Sequence, residues 1–230
     1  MNREPLLTVT RQLFNYCRSN DWAGYDPYGA LNSGLFKRLP FLDSWLPRLA
    51  MTQILKRSPI NFRPLLMIPK TQNPKALGLF LAAFLKLDKS GILEDKNLIP
   101  SMLQRLIDLR SGNAPMSTGN RQPETINFQP STANRYFCWG YSFPWQGRSV
   151  LAPKGEPNLV CTVFVANALL DYYESIHGQP ETGNRKLETD NLLHIATSAA
   201  DYLLNELYWS EGDLAGFSYP TPAKDRKSVV

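Results

Sequence analysis

Asn73-Pro74-Lys75-Ala76-Leu77-Gly78-Leu79-Phe80-Leu81-Ala82-Ala83-Phe84-Leu85 decides the fold class of this chain. Asparagine ahead of proline is a helix start. Asn can accept the free N–H groups of the first turn, and Pro at the first helical position has no N–H to leave unsatisfied. The run that follows is apolar nearly all the way round, which predicts a helix buried on every side. Segment 94–110 differs: Leu98, Ile99, Met102, Leu103, Leu106, Ile107 and Leu109 form one stripe and charges fill the rest, as in an outer helix packed on one side. The order then repeats. Glu156-Pro157-Asn158 opens an all-apolar run to Leu170, and 187–209 is amphipathic. In the latter, Leu192, Leu193, Ile195, Ala196, Ala199, Leu203, Leu204 and Leu207 lie opposite Glu188, Asp190, Asp201 and Glu206. Inner apolar helices alternating with outer amphipathic ones predict an all-α, two-layered ring or solenoid of helical hairpins.

Upstream, 6–17 carries Leu6, Val9, Leu13, Phe14, Tyr16 and Cys17 at helical spacing, and Asn20-Asp21 ends it. Segment 22–36 is turn-rich. A helix over 43–56 has Asp43 or Ser44 as cap and Trp45, Leu46, Leu49, Ile54 and Leu55 to pack, before Pro59, Pro64 and Pro69 interrupt the chain. Strand signals are weak, and the one segment able to pair, 136–143, reads better as an aromatic loop. Asn167 puts an amide on an apolar helix, where it lines a central cavity or bonds a neighbouring backbone.

A loop phrase links the hairpins. Gly140-Tyr141-Ser142-Phe143-Pro144 returns as Gly216-Phe217-Ser218-Tyr219-Pro220, the mark of a repeat architecture. The first copy precedes an apolar helix. The second is followed by the end of the sequence, so the expectation is an incomplete ring lacking its C-terminal hairpins, with the helices beside the gap uncovered and prone to self-association.

The 230 residues suffice for one large domain or two small ones, and 43% apolar with 20% charged residues is a soluble globular balance. The net charge of +5 is scattered, with only Lys224-Asp225-Arg226-Lys227 resembling a patch, so nucleic acid is not expected as a partner. Three Cys without CxxC spacing and two His supply neither a disulfide framework nor a metal site, and no cofactor is expected. No apolar run looks long enough to span a bilayer and the N-terminus lacks a signal-peptide core, so a cytoplasmic location is expected.

Trp22-Ala23-Gly24-Tyr25-Asp26-Pro27-Tyr28-Gly29-Ala30-Leu31-Asn32-Ser33 resembles the opening of a family of bacterial and archaeal proteins found among polysaccharide-biosynthesis functions. Segments 139–146 and 158–170 resemble the same family, so the likeness spans the chain. It implies an α/α-toroid related to six-hairpin glycosidases and terpenoid cyclases, formed here as a single domain over 1–230. It carries no settled reaction. Family members continue past the second loop phrase into another inner helix opening with His-Asn-Ala-Asn, which this sequence lacks.

In helical toroids ligands bind where loops lead into the inner helices. Trp139, Tyr141, Phe143 and Trp145, with Gln146 and Arg148, offer stacking faces beside hydrogen-bond donors, a mixture suited to a sugar ring. The alternative is that these aromatics plug the ring's end. Asp26, Tyr28 and Asn32 form a second group. Asp26 is the candidate general acid or base, or else the acceptor of an Asx-turn. Glycoside hydrolysis needs two carboxylates, and Glu156 and Asp213 are the other candidates, with no motif behind them. The expected function is binding or processing of a carbohydrate or glycan precursor. A non-catalytic scaffold or an inactive remnant is the alternative.

Overall fold

The computed structural model describes residues 4–26, 28–34, 44–111, 135–146, 151–177 and 183–220. They are mostly helical: α1 (Glu4–Ser19), α2 (Trp45–Arg57), α3 (Pro74–Lys89), α4 (Leu98–Asp108), α5 (Leu159–Ile176) and α6 (Gly183–Tyr202). Four short strands accompany them, β1 (Trp145–Gln146), β2 (Leu151–Ala152), β3 (Tyr208–Glu211) and β4 (Leu214–Phe217). The all-α class expected from the sequence is the class observed. The chain gathers into two compact units, the first formed by Met1–Asn73 and Ser142–Leu151, the second by Pro74–Tyr141 and Ala152–Val230.

In the first unit, α1 stops at a tight turn in which Asp21 (φ 50°) and Trp22 (φ 58°) are left-handed. The Trp22 N–H reaches back to the Cys17 carbonyl at 2.9 Å, satisfying an end-of-helix acceptor. Trp22 is buried and meets Phe14 edge-on at 5.7 Å, whereas Leu6, Val9, Leu13 and Tyr16 on α1 are exposed. A 3-10 turn, Gly29–Asn32, packs on α2, and Ala30, Leu55 and Ile68 form the small core between them. This corrects the packing expected of α2. Leu46, Leu49 and Ile54 are exposed, because a single turn covers only the strip holding Thr52 and Leu55. Ser44 stands at the N-cap position but makes no side-chain cap bond.

In the second unit, α3 packs on both α4 and α5, and α6 packs on α5. Helix α3 begins at Pro74, as its sequence requires. Its Leu77, Gly78, Leu81 and Phe84 are buried, but Leu79 is 50% exposed, so burial on every side is corrected to burial on the faces that meet α4 and α5. Gly78 permits the α3–α5 approach: a Cβ there would sit 3.1 Å from the Phe164 carbonyl oxygen. Helix α4 buries Leu98, Ile99, Met102, Leu103 and Leu106 of the expected stripe, and Ile107 and Leu109 are half-buried. Helix α5 buries Cys161, Thr162, Val165, Ala168 and Leu169 but leaves Phe164, Asn167 and Leu170 exposed. The Asn167 amide is therefore open to water and needs no protein partner.

Leu193 and Leu204 are exposed too. Helix α6 does not run to Trp209. It widens into a π-helical turn, Leu203–Leu207, and passes into an antiparallel hairpin in which Tyr208 faces Phe217, Trp209 faces Gly216 and Glu211 faces Leu214. Gly212 (φ 57°) supplies the left-handed residue of its two-residue loop. One expectation about membranes also changes: the 18 residues of α5, with mean hydropathy 1.3, are long and apolar enough to span a bilayer. A third of that window is buried in the protein (33%), and core helices meet the same criterion.

Candidate functional site

The start of α5 is where the two loop phrases meet. Asn158, fully buried, caps the helix by accepting the Cys161 N–H at 2.9 Å on Oδ1. Its own N–H donates to the Trp139 carbonyl at 3.0 Å, and the next, of Leu159, donates to the Tyr219 carbonyl at 2.9 Å. The residue just before the first phrase and the tyrosine of the second thus each accept one N–H from the entry of α5. Their tyrosines then join directly, Tyr141 Oη to Tyr219 Oη at 2.6 Å. Gly140 bridges Pro157, and no residue with a side chain fits there: a Cβ would stand 2.0 Å from the Glu156 carbonyl oxygen.

Trp139 is fully enclosed. Its indole N–H donates to the Leu106 carbonyl at 2.7 Å, and its backbone N–H donates to Thr162 Oγ1 at 3.1 Å. An indole with no exposed surface offers no stacking face, so Trp139 moves from the ligand-binding set to the core. Exposed rings lie instead in the hairpin and the second phrase, at Tyr208, Trp209, Phe217 and Tyr219. Tyr208 meets Phe217 edge-on at 5.5 Å, while the Trp209 ring lies over Gly216, with its Cζ2 3.1 Å from where a Cβ would be. Beside the first phrase, burial pushes the Glu156 carboxyl above its ordinary range.

The other candidates fall in the first unit. Asp26 Oδ1 accepts the Tyr28 N–H at 2.8 Å, which is an Asx-turn. Burial raises the Asp26 carboxyl above its ordinary value, opposed by that N–H and by the Arg63 charge. Tyr28 is 41% exposed, with Lys56 Nζ 5.0 Å from its ring centre and donating to its hydroxyl at 3.3 Å. Tyr25 takes Lys70 at 5.5 Å and Arg63 at 5.9 Å from its ring centre. Asn32 is half-buried at the end of the 3-10 turn. Trp145 is half-buried in β1, and Gln146 follows it there. Arg148 and the side chain of Gln146 lie outside the described residues.

Two things escaped the sequence reading. Trp22-Ala23-Gly24-Tyr25-Asp26-Pro27 is a third, shorter version of the phrase: Gly24 bridges Thr71 just ahead of α3, as Gly140 bridges Pro157 just ahead of α5. The shared Gly-Tyr pair followed by a proline, in Gly24-Tyr25-Asp26-Pro27 and Gly140-Tyr141-Ser142-Phe143-Pro144, was the signal. The hairpin aromatics were missed because helical spacing was carried through to Trp209, although Gly212-Asp213 between two short apolar runs is a hairpin signal.

Among the described residues no group of three or more His, Cys, Asp or Glu could hold a metal ion. Cys138 and Cys161 are buried, and burial pushes the Cys138 thiol up to about 12, so it is neither a thiolate nor a nucleophile near neutrality. Comparison with known proteins finds no matching family model, no matching curated protein and no matching solved structure.

Proposed function

We propose that this chain is an arc of an α/α-toroid that binds a carbohydrate or glycan precursor through the aromatic surface at the entry of α5. The ring reading is supported by the packing order: α3 packs on α5, and each also packs on the helix that follows it, α4 or α6. The observation that carries the binding reading is the exposed Tyr208–Phe217 pair on one face of the hairpin, followed two residues on by exposed Tyr219 with its hydroxyl bonded to that of Tyr141, while Trp209 lies on the opposite face over Gly216. Flat apolar faces beside hydroxyls match the C–H face and hydroxyl rim of a sugar.

Binding is favoured over hydrolysis. Asp26 is engaged in a turn, where its Oδ1 accepts the Tyr28 N–H. Polysaccharide biosynthesis is the setting that the family resemblance implies.

The test is a glycan titration of the parent chain and of Tyr208→Ala. The substitution should weaken binding about tenfold, the scale of losing one aromatic contact of roughly 1–2 kcal/mol. Unchanged affinity in a folded variant would sink this assignment. The second reading, a non-catalytic scaffold, draws on the exposed Leu79, Phe164, Leu170, Leu193 and Leu204. It takes over if no glycan binds and the chain sediments as a self-associated species.

A further inference from the structure

The turn at residues 25–28 gathers more positive charge than its own residues balance. Lys56 from the last turn of α2 sits over Tyr28, and Arg63 and Lys70 from the following connection sit over Tyr25. Three cation–π contacts thus share two tyrosines of one turn. Asp26 is the carboxylate that Arg63 acts on, and one of its oxygens is already taken by the Tyr28 N–H.

Donors remain. The Arg63 guanidinium gives Nη2–H to the Leu55 carbonyl at 3.3 Å and Nη1–H to Asn61 Oδ1 at 3.5 Å, while its Nε is buried with no partner among the described residues. Lys70 donates to Asn20 Oδ1 and Lys56 to Tyr28 Oη, and each ammonium has three N–H groups to give. An entering oxyanion can take up these spare donors, and a hydrogen bond from a charged donor to an anion is stronger than one between neutral groups.

We propose that Lys56, Arg63 and Lys70 around Tyr25 and Tyr28 form a binding site for the oxyanion of a charged saccharide, either a sugar phosphate or a uronate. The exposed Tyr28 is the ring its sugar can reach. The saccharide half of this inference rests on the carbohydrate reading above. The oxyanion half rests on the cations alone.

The test is calorimetric titration of the full chain with a panel of neutral hexoses, their 1-phosphates, the matching uronates and inorganic phosphate. At least one charged sugar should bind tenfold or more tightly than its neutral parent, and the preference should shrink with added salt. The stronger arm, phosphate or carboxylate, names the source. Lys56→Gln with Lys70→Gln changes two exposed side chains and should reduce that affinity tenfold or more with an unchanged circular dichroism spectrum. Asp26→Asn should tighten it by removing the competing carboxylate. Neutral and charged sugars binding alike would overturn this inference and leave the carbohydrate reading standing. Inorganic phosphate binding as tightly as every sugar phosphate would overturn the saccharide half. No binding by any member of the panel would overturn both readings.

Discussion

The loop before α3 and the loop before α5 use the same chain gesture in opposite environments. Each puts a tryptophan into a core, then a glycine into a bridge with the residues just ahead of a helix, then a half-buried tyrosine. Around Gly24 there is open space: a Cβ would meet nothing within 4 Å. Around Gly140 there is none. Tyr25 then faces two cations, whereas Tyr141 faces another tyrosine. The difference teaches that the shared sequence order specifies the backbone bridge only. What packs on that bridge, and therefore whether the loop is open and charged or closed and apolar, comes from elsewhere in the chain.

The largest expected effect breaks the comparison at its glycines. Gly140→Ala must push the Glu156 backbone aside and should cost about 3 kcal/mol or more, the upper end of overpacking. Gly24→Ala meets no atom and restricts the unfolded chain, so it should be neutral to about 1 kcal/mol stabilising. Urea unfolding of the two variants measures both. Equal losses would mean that the bridge around Gly140 is looser than this geometry.

The tryptophans give the next effect. Trp139→Phe empties part of a fully buried site and leaves the Leu106 carbonyl without its indole donor, for a loss of about 2–3 kcal/mol. Trp22→Phe keeps an aromatic edge against Phe14 and should lose about 1 kcal/mol. A Trp22 loss as large as that of Trp139 would show that the first unit's core is as tightly built as the second's. The measurement is again the unfolding midpoint, corrected for any change in slope.

What the sequence disclosed follows the range of the forces involved. Pro74 and Asn158 act on their own helix starts, and both appear where local chemistry puts them. The stripe of α4 was legible because periodicity reports a face directly. The faces of α3 and α5 were not, since an all-apolar run says that burial is available without saying which side is covered; Leu79 and Phe164 show the outcome. Trp139 was misassigned for a related reason. Composition places an aromatic in a loop, but only the third dimension shows that the loop's indole turns inward to Leu106 while Trp209, at the end of an apparent helix, faces water. The cation cluster was least legible, because Lys56, Arg63 and Lys70 converge on one turn from positions that look scattered in the chain.

The smallest effect is a pH dependence, and it sharpens the same contrast. Asp26 and Glu156 both hold their protons more tightly in the folded chain than their ordinary values of 3.8 and 4.5. For an acid so shifted the folded state binds more protons than the unfolded one over the interval between the two pKa values. Stability therefore falls as pH rises through that interval and is flat above it. At Glu156 burial acts alone, whereas at Asp26 the Tyr28 N–H and the Arg63 charge push back. Asp26→Asn and Glu156→Gln should each flatten part of the decline in unfolding midpoint between about pH 4 and pH 7. Asparagine still offers Oδ1 to the Tyr28 N–H, so the turn survives the test. Arg63→Gln should steepen the decline by removing the charge that restrains Asp26, with no change in the part due to Glu156. A decline that Arg63→Gln leaves untouched would mean that Arg63 does not feel Asp26, and the cations of the first unit would then be unbalanced by more than the turn now shows.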